Sequence, residues 1–227
     1  MDNATRLAYL EAMGVQAWVR RDSAVVQTTA VAPPVSISTL LDWPTLERQV
    51  PVCTLCELHK GRTKTVLGCG DRDADWMLIG EGPGDEEDRQ GEPFVGPAGK
   101  LLNEMLRAMG LQRDNVYIGN IVKCRPPNNR DPRPQEVMQC EPYLSAQIAL
   151  VKPKIILALG RIAAQNLLKT DQPIGQLRGK VFSYPGGAIP VVVTYHPAYL
   201  LRSPLEKRKA WQDLQVAMTI YRSSVNS

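Results

Sequence analysis

Histidine and phenylalanine are scarce in this chain: its 227 residues include two of each, so the position of each one carries information. Long apolar runs are missing too. None approaches the roughly 18 residues that a membrane-spanning helix requires. The opening "MDNATRLAYL" has no basic stretch followed by an apolar one, so no secretory signal is expected and the cytoplasm is the expected compartment. There is no Gly-Lys-Ser/Thr phosphate loop, no G-x-G-x-x-G fingerprint and no internal repeat. The five cysteines, Cys53, Cys56, Cys69, Cys124 and Cys140, are an odd number in a chain expected to be cytosolic. A disulfide framework is therefore not expected, and metal or redox chemistry comes first.

What is present describes a globular protein. Hydrophobic residues make up 44% and charged residues 22%, enough for one domain with a real core plus an appendage. The net charge of +4 is only a weak pointer to nucleic acid. Its distribution says more, because Arg202, Lys207, Arg208, Lys209 and Arg222 crowd the last 28 residues against Glu206 and Asp213. Residues 1–22 place Leu7, Leu10, Val15 and Trp18 near helical spacing and are expected to form an amphipathic helix that either docks a protein partner or folds back on the domain. Residues 23–41, uncharged and carrying Pro33-Pro34, read as a flexible linker. The main domain is expected over 42–227.

Within it, short apolar runs alternate with helical segments: "DWMLIG", "NVYIGNIV", "KIILALG" and "IPVVVTY" as strands, and "AGKLLNEMLRAMG", "RPQEVMQCEPYLSAQIALV", "RIAAQNLLK" and "LEKRKAWQDLQVAMTIYR" as helices. This pattern predicts a three-layer α/β/α fold around a mostly parallel four-stranded sheet. Ligands bind outside the carboxyl ends of such strands, which selects "GEGPG", "GNIVKC" and "YHP".

The segment from Gly80 to Gly99 is dense in glycine and proline, which permit close backbone approach and stiffen a loop. Its acidic run Asp85–Asp88 would repel phosphate, so a neutral ligand fits better. Phe94 inside it is either a ligand face or a plug anchoring the loop. Cys53-x2-Cys56 is a clip of the sort used for zinc or iron–sulfur clusters, and Cys124 with Cys140 forms a second, looser pair. Spacing alone leaves zinc and iron open. Cys69 fits neither pair and reads as a small buried residue, and His59 as a capping or solvated ring. Lys123, Arg125, Arg130 and Arg133 stud a proline-stiffened loop that either holds a phosphate backbone or is simply solvated.

Taken in order, "GEGPGDEEDRQGEPFVGPAGKLL", "NIVKCRPPNNR" and "HPAYLLR", with the four-cysteine layout, resemble the family 4 uracil-DNA glycosylases, a bacterial and archaeal branch that carries an iron–sulfur cluster. The resemblance runs from about Cys53 to the C-terminus and leaves residues 1–41 unaccounted for. It implies a monomeric hydrolase that flips uracil out of single- or double-stranded DNA and cleaves its glycosidic bond. The site it implies has Phe94 as a stacking face, Asn120 reading the base edge, and His196 with backbone N–H groups near Gly82 meeting negative charge on the departing base. Glu81 would favour the sugar cation or orient water. Glu87 would assist it or block the C5 position of thymine. Arg125, Lys180 and Arg202 would hold phosphates, with Tyr199, Leu200 or Leu201 as a wedge; core packing is the competing reading for the two leucines, and the preferred one for Leu201. A 4Fe-4S cluster on Cys53, Cys56, Cys124 and Cys140 would be structural. The alternatives are a relative acting on another deaminated base and a non-catalytic iron–sulfur DNA-binding module.

Overall fold

The computed structural model describes residue 5 and residues 12–14, 42–187 and 189–225. The expected N-terminal helix and linker therefore lie outside the described residues, apart from Thr5 and residues 12–14. The chain divides into two units, Met1–Ala32 and Pro33–Ser227, and the second is considered from here on. Its elements in chain order are α1 (Trp43–Val52), β1 (Cys69–Gly70), β2 (Trp76–Gly80), α2 (Asp85–Gln90), α3 (Pro97–Ala108), β3 (Val116–Asn120), α4 (Pro134–Val151), β4 (Ile155–Leu159), α5 (Arg161–Leu168), α6 (Ile174–Leu177), β5 (Val181–Ser183), β6 (Pro190–Thr194), α7 (Pro197–Arg202) and α8 (Lys207–Val225).

The strands form one sheet in the order β1-β3-β2-β4-β6-β5. The four central strands are parallel. Every residue of β2, β3 and β4 is buried, as expected where helices cover both faces of a parallel sheet. Alternation divides them between two cores. Met77, Ile79, Ile156 and Ala158 pack with α1, α4 and α5, whereas Trp76, Leu78, Ile155 and Leu157 pack with α3 and α8. The α/β/α layering thus follows from side chains of period two meeting helices with one apolar stripe each.

The sheet has six strands where four were expected. β1 and β5 are antiparallel edges of two and three residues, too short for alternation to register in sequence. A short helix, α2, also stands inside what reads as a loop. Its first turn is wholly acidic, which favours the positive end of the helix dipole, and the Asp88 carboxylate accepts the Thr63 N–H at 2.9 Å.

Leu200 requires a correction. It is 1% exposed and packs in the α3–α8 core, so it cannot enter a DNA duplex. Leu201, the leucine for which core packing was preferred, is 43% exposed. On a helical turn that begins at Pro197, adjacent residues point in different directions, and only the tertiary contact decides which is inward. Leu200→Ala should therefore lower unfolding stability by about 2–5 kcal/mol in urea titration. Leu201→Ala should change it by about 0.5 kcal/mol or less. Equal losses would contradict this packing.

Candidate active site

The carboxyl ends of β2, β3 and β6 open on a cavity of about 380 Å³. Glu81, Gly82, Glu87, Phe94, Asn120, His196, Tyr199 and Arg202 all line it. Three remote segments meet there because three positions lack a side chain. Gly80 pairs with Asn120 across the β2–β3 ladder, and a Cβ on it would sit 2.5 Å from Asn120 Oδ1 and 2.7 Å from Phe94 Cζ. A Cβ on Gly99 would collide with the Phe94 carbonyl at 1.7 Å, and one on Gly160 would lie 2.8 Å from His196 Cβ. Gly160 also takes φ +94°, a conformation that favours glycine.

Phe94 has φ 55°, an uncommon backbone state for a bulky residue and one that clusters at functional sites. Arg113, unremarked in the sequence, holds it: its guanidinium donates to the carbonyls of Pro93 and Phe94 and pairs with Glu92. The Phe94 residue is buried in the α3–α8 core and also borders the cavity, so it anchors the loop at the cavity wall. Its ring centroid is 5.5 Å from that of His196, with 29° between the ring planes.

His196 caps α7. Its Nδ1 accepts the Ala198 N–H at 3.1 Å, so the proton of the neutral ring resides on Nε2, which is thereby a donor. Burial first, and then Arg202, lower its pKa to about 4 against the opposing charge of Glu87. Asn120 is 2% exposed, and its Oδ1 is buried without a hydrogen-bond partner. Such an orphan acceptor costs about 1–3 kcal/mol if left unpaired, and here it borders a cavity.

The two glutamates differ. Glu87 accepts the N–H groups of Gly84, Val95 and Gly96 at 3.2, 3.0 and 3.1 Å, tying both ends of the glycine-rich loop together. Glu81 is pushed up to about 7, first by burial and then by Asp131, with Arg161 opposing. Asp131 lines the same cavity. It was overlooked in the sequence because an exposed aspartate in an Asn-Asn-Arg-Asp-Pro loop carries the ordinary signal of a turn.

The expected phosphate contacts are scattered. Arg202 lines the cavity. Lys180 is exposed before β5, and neither it nor Arg125 borders the cavity. Arg125 pairs with Asp85 and Asn129. Arg130 is held by both oxygens of Glu136 at 2.9 and 2.6 Å. Lys123 is 1% exposed and bonds the Asn120 carbonyl and Gln147, so it reaches no phosphate.

On the other face of the sheet, Cys53, Cys56, Cys124 and Cys140 line one small cavity with His59, Arg62 and Tyr143. Lys123 N–H and Arg62 Nη1 donate to the sulfurs of Cys140 and Cys124, each at 3.2 Å. Burial raises the thiols of Cys56, Cys124 and Cys140, the last to about 12. His59 Nδ1 lies 2.7 Å from the Cys56 carbonyl. Cys69 lies apart, beside Arg113. Among the described residues, no set of three or more His, Cys, Asp or Glu side chains is arranged to hold a single metal ion. Nor, among them, is any helix long and apolar enough to cross a membrane.

The family model described as the uracil DNA glycosylase superfamily matches residues 67–215. A type-4 uracil-DNA glycosylase of Archaeoglobus fulgidus is 47% identical over 69% of this chain and 82% of its own length. One from Thermotoga maritima is 46% identical over 70% and 82%. A type-5 enzyme of Thermus thermophilus is 31% identical over 59% and 68%.

The imidazole geometry makes a prediction. The His196 ring should stay neutral, with its proton on Nε2, over roughly pH 5–9 in ring ¹⁵N spectra. Titration near the ordinary value of 6.5 would contradict it.

Proposed function

The chain belongs to the uracil DNA glycosylase superfamily, among relatives of type 4, and from that membership and the cavity we propose that it excises uracil from DNA by hydrolysing the N-glycosidic bond. The carrying observation is the orphan Asn120 Oδ1 beside the Phe94 ring, with His196 as a neutral donor on the wall of the same cavity. A flipped uracil stacks on Phe94 and presents N3–H to Asn120 Oδ1 and O4 to the amide N–H. Cytosine inverts that pattern and leaves both partners unpaired. This discriminates against it much as a lost buried hydrogen bond does.

As the bond from C1′ to N1 breaks, its electron pair moves onto the base. His196 Nε2–H donates to O2, aided by backbone N–H groups near Gly82. A neutral donor is well suited to this task, because it meets the developing charge without first surrendering a proton. Glu81 orients water toward C1′ and favours the positive sugar. The water's oxygen bonds C1′, its released proton passes to the base, and free uracil and an abasic site result. Glu87 closes the space beside C5, where thymine carries its methyl. Arg202, Lys180 and Arg125 are assigned to phosphates. The exposed pair Tyr199 and Leu201 replaces Leu200 as the wedge into the duplex.

The four cysteines suit a 4Fe-4S cluster. Soft thiolates with N–H···S donors and two cations nearby offset the charge of such a group. A cluster binds its ligands through separate irons, so its sulfurs stand wider apart than those around one ion. When bound, the cluster would crosslink the segment after α1 to the loop after β3 and α4. Arg62 spans the same join, donating to the carbonyls of Pro51 and Cys53 and to the Cys124 sulfur.

Purified protein should release free uracil from a uracil-containing oligonucleotide, and Asn120→Ala and His196→Ala should each slow single-turnover release by about 100-fold or more. No release by the wild type, or undiminished release by both variants, would sink this reading. Anaerobically purified protein should absorb broadly in the visible and contain about four irons per chain. Cys140→Ser should lose colour and melt at lower temperature. Colourless, zinc-loaded protein would exclude the cluster.

A further inference from the structure

Glu81 is the first residue beyond β2, with its backbone carbonyl accepting the Val122 N–H at 3.1 Å. This continues the β2–β3 ladder and fixes where the side chain starts. Asp131 reaches the same cavity from the loop between β3 and α4, and its proximity raises the Glu81 carboxyl.

Asp131 is anchored at both ends. Its side chain pairs with Arg161, the first residue of α5. Its carbonyl accepts Arg130 Nη1 at 2.9 Å, and Arg130 is in turn clamped by Glu136. The arrangement draws on the loop, the start of α5 and the start of α4, yet Asp131 stacks on no ligand face and its side chain is 58% exposed.

The other ionisable groups on the cavity wall are committed elsewhere. Glu87 is held by three backbone amides, and His196 by the Ala198 N–H. Arg130 is paired with Glu136, and Arg202 acts on His196. Asp131 and Arg161 are the two charged groups that act on Glu81, in opposite senses.

We propose that Asp131 is a positioning residue for uracil excision: held by Arg161 on the wall of the cavity that Glu81 also lines, it governs both where the Glu81 carboxyl points and the pH range over which it serves the attacking water. This rests on the reading of Glu81 as the water-orienting carboxylate.

The sign is determined by the charges. Asp131 disfavours ionisation of Glu81 and Arg161 favours it. Removing the first should move the acid limb of the rate toward lower pH, and removing the second should move it toward higher pH. A purely structural role would instead lower the plateau and leave the midpoint in place.

The test uses the full-length protein as wild type, Asp131→Asn, Arg161→Gln and Glu81→Gln. Single-turnover uracil release is followed over roughly pH 5–9, and Glu81 is titrated directly by side-chain carboxyl ¹³C NMR. Asp131 is exposed, so its amide variant should fold, and a melting curve checks this. The expected result is displacement by about half a pH unit or more, downward in Asp131→Asn and upward in Arg161→Gln, in both rate and NMR, with the limb absent from Glu81→Gln. An unchanged Glu81 titration in Asp131→Asn overturns the coupling itself. A limb that persists in Glu81→Gln overturns the reading of Glu81, and the positioning role with it, even where NMR shows the two carboxyls coupled.

Discussion

The site depends on backbone and side chains approaching more closely than a Cβ would allow. Gly80, Gly99 and Gly160 stand where the end of β2 meets Asn120 and the Phe94 ring, where α3 meets the Phe94 backbone, and where the start of α5 meets His196. A methyl at any of these points lands within van der Waals contact of a group that touches the cavity. Parallel strands already gather their carboxyl ends along one edge. The missing side chains let these segments close around the cavity at that edge.

Around that pocket, polar groups fall into two kinds. Glu87, Arg113 and the Nδ1 of His196 are fully employed in holding backbone: the loop ends, the left-handed Phe94 and the first turn of α7. Asn120 Oδ1 has no hydrogen-bond partner, and the His196 Nε2 takes no part in the cap. Burial first, and Arg202 second, favour the neutral His196 ring, and the cap acts in the same direction. Protonating Nδ1 would break the cap that orients the ring, in addition to placing charge in a buried site. The same logic separates the glutamates, since Glu87 is satisfied by amides while Glu81 faces another carboxyl.

The opposite face repeats the theme with sulfur. α1, the loop after β3 and α4 converge on four thiols, and Arg62 stitches two of these segments directly. β3 therefore links both centres: Asn120 at its end reads the cavity, and four residues later Cys124 enters the thiol cluster. Lys123 lies between them, with its N–H on the Cys140 sulfur and its ammonium on the Asn120 carbonyl.

The amino-acid order by itself determined the layering, because fully apolar runs of five residues and amphipathic helices have distinct periods that no other arrangement buries as well. It also determined which three motifs would share an edge, since strand polarity follows from the alternation of strands and helices. It left undecided everything that depends on direction in space. Leu200 and Leu201 are neighbours of equal hydrophobicity, and only contact with α3 and α8 sends one inward. Lys123 and Arg125 flank one cysteine, yet one is swallowed by the core and the other meets Asp85. Asp131 looked like a turn residue until the fold laid it beside Glu81. Such facts lie in distances between segments remote in the chain, and local residue patterns carry no record of those distances.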